Sequence, residues 1–205
     1  GKMDIERYKT IEGTIENKIN IERSIFITTL RGIEDEYEAK NFISEMNKKY
    51  ADATHNCPAY RLIGKQGIIE FSSDVGEPSG TAGVPMLNSL RKAELLNVAV
   101  VVTRYFGGVK LGIRGLIDAY SQSVERAIEK AQSLKSILVK RKAFKQKLKI
   151  DFVSYGKKMQ QLSYKGVTIL DISYSEEYAF VEVICNKPLD FPEIVESEII
   201  YIADI

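Results

Sequence analysis

Residues 97–124 read NVAVVVTRYFGGVKLGIRGLIDAYSQSV, and three kinds of sequence meet in them. Asn97 to Tyr105 is almost wholly apolar and β-branched, and an apolar run without alternation belongs to a strand buried on both faces. Phe106 to Gly115 then carries four glycines. After it Leu116, Ala119, Tyr120, Ser123, Val124, Ala127 and Ile128 recur at helical spacing and form the inner stripe of a helix. A buried strand, a glycine-rich loop and an amphipathic helix therefore follow one another near the middle of the chain.

Working outward toward the N-terminus, Ile11, Ile15 and Ile19 followed by Ile25, Phe26 and Ile27 predict a two-stranded hairpin. Ala39, Phe42, Ile43, Met46 and Tyr50 predict a helix over 37–50. Strands at Cys57 to Ile63 and Ile68 to Phe71 lead into a second glycine-rich loop, 72–83, and a helix beginning near Pro85, a residue suited to a first helical turn. Toward the C-terminus, Lys145, Lys147 and Lys149 alternate with Phe144, Leu148, Ile150 and Phe152, which gives a strand with one lysine face and one apolar face. Gln146 is the exception on the apolar side. A helix over 154–165, a hairpin of 167–174 and 178–185, a short helix after Pro192 and a strand at 199–202 complete a strand-helix-strand-strand-helix-strand order, the ferredoxin-like arrangement. The expected fold class is α+β in two domains, residues 1–134 and 135–205.

The composition is that of a globular chain: 205 residues, 44% hydrophobic and 28% charged. No apolar run approaches the ~18 residues of a membrane span. The opening GKMDIERYKT is charged and lacks the apolar stretch of a secretory signal. Cys57 and Cys185 stand far apart with no CxxC pattern, which fits a reducing compartment. The expectation is a cytoplasmic protein that does not engage membranes. The net charge of +1 conceals an asymmetry: Lys135 to Lys165 holds ten Lys/Arg and one acid, and Gly166 to Ile205 holds nine acids and one Lys. Such a split marks either a nucleic-acid surface or neighbouring strands that pair their charges.

Seven of the fourteen glycines fall between Gly76 and Gly115. Each of the two loops that share them precedes a helix, whose free N–H groups and positive dipole end favour anions. Arg104, Lys110 and Arg114 add charge beside the second loop. Neither loop fits the Walker or the dinucleotide pattern. Close helix–sheet packing accounts equally for the glycines.

The two loops also carry a resemblance. FSSDVGEPSGTAGVPML at 71–87 resembles the FSDDGEPxGTAGxPML signature of the IMPACT/YigZ family, and 97–124 resembles that family's VVVRYYGGxxLGxGGLxxAY element. ERSIFI at 22–27 and DATHNCPAY at 52–60 are similar to two shorter elements. The resemblance implies an N-terminal domain of the ribosomal-protein-S5 domain-2 type and a C-terminal ferredoxin-like domain similar to one in elongation factor G. It implies a link to translation, since eukaryotic relatives act in translational control. The matched positions are Asp74, Glu77, Pro78, Gly80, Thr81, Gly83, Arg104, Tyr105, Gly107, Gly108, Gly112, Gly115 and Tyr120. Arg114 stands where the family usually has glycine, and a side chain there conflicts with any need for positive φ.

Catalytic constellations are thin. His55 and Cys57 share a strand face, but no third group orients them as a nucleophile pair. Asp74 and Glu77 would suit Mg²⁺ beside phosphates or, more simply, hydrogen bonds to loop N–H groups. Lys145, Lys147 and Lys149 form a secondary basic face on which stacking aromatics are not evident, and Glu182 is placed to pair with one of them. The residues therefore favour a non-catalytic module that docks on RNA, the ribosome or a translation factor, with no cofactor, no metal and no assigned oligomeric state. Arg104, Lys110, Arg114, Gly107, Gly108, Gly112, Gly115 and Thr81 would make the contacts, while Asp74, Glu77, Pro78, Gly80, Gly83, Tyr105 and Tyr120 organise the loops. The alternatives are a protein-partner module without nucleic acid and a phosphate-ligand enzyme using Asp74 and Glu77.

Overall fold

A computed structural model describes residues 5–204; the first four residues of the charged opening and the last residue lie outside it. The chain divides into two compact units, the first ending at Val139 and the second beginning at Lys140. Both are built on antiparallel sheets with helices, and the fold class is α+β.

The first unit runs β1 (Arg7–Ile11), β2 (Thr14–Ile21), β3 (Ser24–Gly32), α1 (Glu36–Lys49), β4 (His55–Gly64), β5 (Gly67–Ser72), α2 (Gly83–Lys92), β6 (Val98–Tyr105) and α3 (Gly112–Ser133). Its sheet has the order β2-β3-β6-β4-β5; Ile11, expected in the hairpin with Ile15 and Ile19, belongs instead to β1, which is not in this sheet. The apolar run of the sequence is β6, the middle strand, antiparallel to β3 and to β4. Val98, Val100 and Val102 face a core shared with α2 and α3, while Ala99 and Val101 face a second core under α1. Two covered faces leave β6 no solvent side, which is why its sequence does not alternate. Burying each valine is worth ~1.5 kcal/mol or more. The stripe expected on α3 is buried throughout, from Leu116 to Ile128. Asp35 starts α1 by accepting the Glu38 N–H at 2.8 Å, with Glu36 and Glu38 in the first turn and Lys48 and Lys49 in the last, each sign matched to the dipole.

The second unit takes most of β7 (Ile137–Asp151), then α4 (Tyr155–Tyr164), β8 (Thr168–Tyr174), β9 (Tyr178–Cys185) and β10 (Ile194–Ala203). Its strands lie in the order β10-β7-β9-β8, each antiparallel to its neighbours. Leu148 and Ile150 of β7, Leu162 of α4, and Val181 and Val183 of β9 form its core. The helix expected after Pro192 is not formed. Gln146 explains the difference: its Oε1 accepts the Leu189 N–H at 2.8 Å and its Nε2 donates to Ser197 at 3.1 Å. The segment is thus tied down by a buried amide, and Glu193 O already accepts the Lys149 N–H at 2.9 Å. No helix among the described residues is long and apolar enough to cross a membrane.

Candidate functional site

Arg104 leaves the end of β6 with its side chain inside the protein. One guanidinium nitrogen lies 3.0 and 2.8 Å from the two carboxylate oxygens of Glu77, and both side chains are about 5% exposed. Tyr120, buried on α3, donates its hydroxyl to Glu77 Oε2 at 2.5 Å. His55 Nε2 stands 3.3 Å from Glu77 Oε1, and its Nδ1 stands 2.8 Å from the Val75 carbonyl. Glu77 therefore joins the first glycine-rich loop to β4, β6 and α3 at once. Arg104 also stacks near Phe26 and Phe106, 5.7 and 5.4 Å from the ring centroids, and so reaches the second loop as well.

This placement corrects two of the contacts expected from sequence. Arg104 is buried and bonds to Glu77 and Ser24 instead of presenting a solvent-facing charge. Thr81 is fully buried, and its hydroxyl donates to the Pro78 carbonyl at 2.5 Å. Both residues support the loops from below.

Asp74 closes the N-terminus of α2. Its Oδ1 accepts the N–H groups of Ala82 and Gly83 at 3.1 and 2.9 Å, and its Oδ2 accepts that of Gly80 at 2.9 Å. Burial pushes the Asp74 carboxyl up, but the three donors outweigh it and hold the group below its ordinary range. The anion site expected at this helix end is filled by the chain's own carboxylate, so neither Asp74 nor Glu77 has an oxygen standing free of protein donors.

Around the second loop the surface is open. Phe106 is 46% exposed, Val109 and Ile113 are exposed beside it, and Lys110 points outward. Arg114 is exposed and sits 3.6 Å from Asp118 one turn along α3. It does not disturb the loop, because the positive φ falls on Gly108 and Gly112, at +87° and +76°, and Arg114 is already inside the helix. Gly107 is required by contact: a Cβ there would lie 2.1 Å from the Arg23 carbonyl. Gly115 packs on Leu111, and Tyr105 donates to Asp52 at 2.8 Å.

Arg23, part of the ERSIFI element, is absent from the contacts expected from sequence. With Glu22 it makes the two-residue turn between β2 and β3, and both have positive φ, +47° and +68°, the pattern of a type I′ turn that normally takes glycine or asparagine. Strained backbone of this kind is held by its surroundings and is enriched at working surfaces. Its signals in the sequence were the ERSIFI element and a charged dipeptide at a hairpin tip.

His55 and Cys57 do not form a nucleophile pair. Cys57 is fully buried, and its sulfur lies 3.1 Å from the Asp74 carbonyl and 3.5 Å from the Tyr120 hydroxyl. Burial pushes the thiol up to about 12, far from a reactive thiolate.

On the second unit, Lys145, Lys147 and Lys149 share one face of β7. Aromatic rings are present there after all: Lys147 lies 5.4 Å from the Phe180 ring and Lys149 4.2 Å from the Tyr178 ring. Acids are interleaved with them, since Lys147 is opposite Glu182 on one side and Glu196 on the other, and Lys145 is opposite Glu198. The face is mixed in charge.

The Impact N-terminal domain family matches residues 22–128, a stretch that contains both glycine-rich loops and the whole Arg104–Glu77–Tyr120–His55 cluster. IMPACT family member YvyE of Bacillus subtilis is 41% identical over 184 residues, 89% of this chain and 82% of its own length. The chain belongs to the IMPACT family. IMPACT family member YigZ of Escherichia coli is 38% identical over 109 residues, 53% of each chain. The crystal structure of a hypothetical protein covers 88% of this IMPACT chain and 86% of its own, with a TM-score of 0.65 and 26% identity.

Proposed function

We propose that this IMPACT-family chain is a non-catalytic, translation-linked regulatory protein of the cytoplasm that docks on RNA, on the ribosome or on a translation factor. Its contact surface is the segment Phe106 to Arg114, with Arg23 beside it. One observation carries this: Lys110 and Arg114 are exposed on the same loop and helix start as a half-exposed Phe106, whose ring lies 5.4 Å from the buried Arg104 guanidinium, and the exposed Arg23 meets that loop through its backbone at Gly107. Cations bind phosphate and an exposed aromatic ring stacks on bases, a pairing suited to single-stranded RNA. In this reading the first unit is S5-domain-2-like and the second ferredoxin-like, the latter supported by a strand order in which the first strand lies between the last and the third.

The test is fluorescence anisotropy of a labelled 20-nucleotide RNA over a salt series. Lys110→Ala/Arg114→Ala takes away two cations that neutralise phosphate, and it should flatten the slope of log affinity against log salt by about 1.4. An unchanged slope in the double variant sinks the RNA contact at this loop. Capture of a translation factor that survives nuclease and is abolished in the same variant would move the docking to protein.

A further inference from the structure

A second surface of the first unit has a different chemistry. The sheet ends at β5, whose outer edge has no neighbouring strand among the described residues. Natural edges are usually blunted by proline, by lysine or by a bulge. β5 has none of these: it reads GIIEFS, and its register against β4 is regular from Ala59–Ser72 to Gly64–Gly67. Its one charge, Glu70, is turned to the other face and held by Arg61 and Arg91 at 2.8 and 2.7 Å. On the α1 side Ile69 and Phe71 are 36% and 42% exposed.

Beside this edge lies a groove of about 310 Å³, lined by Lys40 and Ile43 of α1, Pro58 and Tyr60 of β4, Phe71 of β5 and Val75. Its apolar floor is rigid, because Tyr60 stacks on Phe71 at 5.1 Å and is pinned through its hydroxyl to Glu36 at 2.6 Å. Lys40 at the rim and Lys65 at the start of the edge are exposed, and neither has an ion-pair partner among the described residues.

We infer that β5 receives an extended acidic segment of a partner protein as a sixth strand. Main-chain hydrogen bonds continue the sheet, alternate apolar side chains of the segment pack on Ile69 and Phe71 and enter the groove, and carboxylates at the two ends of that apolar stretch meet Lys40 and Lys65. The charge of the two free lysines sets the sign of the partner, and the open edge sets its extended form. This surface involves neither the Phe106 loop nor RNA.

The test uses the full chain and a fluorescein-labelled octapeptide in which two glutamates at each end flank alternating valine and threonine, together with the same peptide carrying lysine for glutamate. The glutamate peptide should bind saturably and at least ten-fold more tightly than the lysine peptide. Phe71→Glu should weaken it more than ten-fold, Lys40→Glu should remove most of the preference between the two peptides, and Lys110→Ala/Arg114→Ala should change neither. Equal affinity for the two peptides in the wild type, or full binding by a folded Phe71→Glu, overturns the inference. Should Phe71→Glu not fold, the Lys40→Glu comparison decides alone. Sedimentation showing self-association that either variant abolishes assigns the edge to a second copy of the chain and likewise overturns it.

Discussion

Arg104 and Glu77, 27 positions apart in sequence, form a buried ion pair in which one guanidinium nitrogen contacts both carboxylate oxygens. The pair turns two glycine-rich segments into one structure. Glu77 is fixed by Tyr120 and His55, and Arg104 extends the link to Phe106, so the outward residues of the second loop stand on a support that includes the first.

Removing either partner leaves an uncompensated charge in the interior. Arg104→Ala and Glu77→Ala should each lower stability by about 3–5 kcal/mol. The double variant should cost well under the sum, because the second truncation removes the charge stranded by the first. Urea denaturation of the four proteins measures this, and additive effects would show that the pair carries no coupling.

Asp74→Ala frees three N–H groups at the start of α2. A destabilisation of about 1–2 kcal/mol is expected, the usual range for removal of a cap. The vacated helix end should then accept inorganic phosphate, so phosphate should raise the Tm of Asp74→Ala and leave the wild type unmoved. Equal responses would mean that the carboxylate does not occupy the anion position.

Glu70 predicts a pH effect. The hydrogen bond from Arg91, aided by Arg61 and opposed by burial, holds its carboxyl down at about 2 against an ordinary 4.5. A carboxyl depressed by folding contributes stability that is complete above about 4.5 and disappears as pH falls toward about 2. Arg91 is half exposed, so solvent screening reduces the contribution to about 1 kcal/mol. Wild type should exceed Glu70→Gln by that amount at pH 6 and converge with it by pH 2 in chemical denaturation. A gap constant across this range would count against the pairing.

Cys57 and Cys185 are both buried, and burial raises both thiols. Iodoacetamide at pH 8 should modify neither in the native chain and both in urea, read by intact mass. Rapid native labelling at Cys57 would reopen a nucleophilic role.

Much of the local architecture was legible because it obeys periodicity. The run Val98 to Val102 announced a strand with two covered faces, and the stripe from Leu116 to Ile128 announced the helix that covers one of them. Helix α1 was equally plain from its apolar spacing. The missing helix after Pro192 was not legible, since Gln146 lies more than 40 residues earlier and only folding brings its amide to Leu189.

The sequence by itself determined most of the strands and helices and the family, because hydrophobic period and motif are properties of neighbours along the chain; β1 and the start of β10 at Ile194 were settled only by pairing in the fold. Tertiary structure alone decided which charges are free. Arg104 and Lys110 look alike in the sequence, yet one meets Glu77 in the interior while the other faces solvent. Whether a cation can receive a ligand depends on the carboxylate that folding places beside it, and pairs such as Arg104–Glu77, or the approach of Arg23 to Gly107, join segments that no local pattern connects.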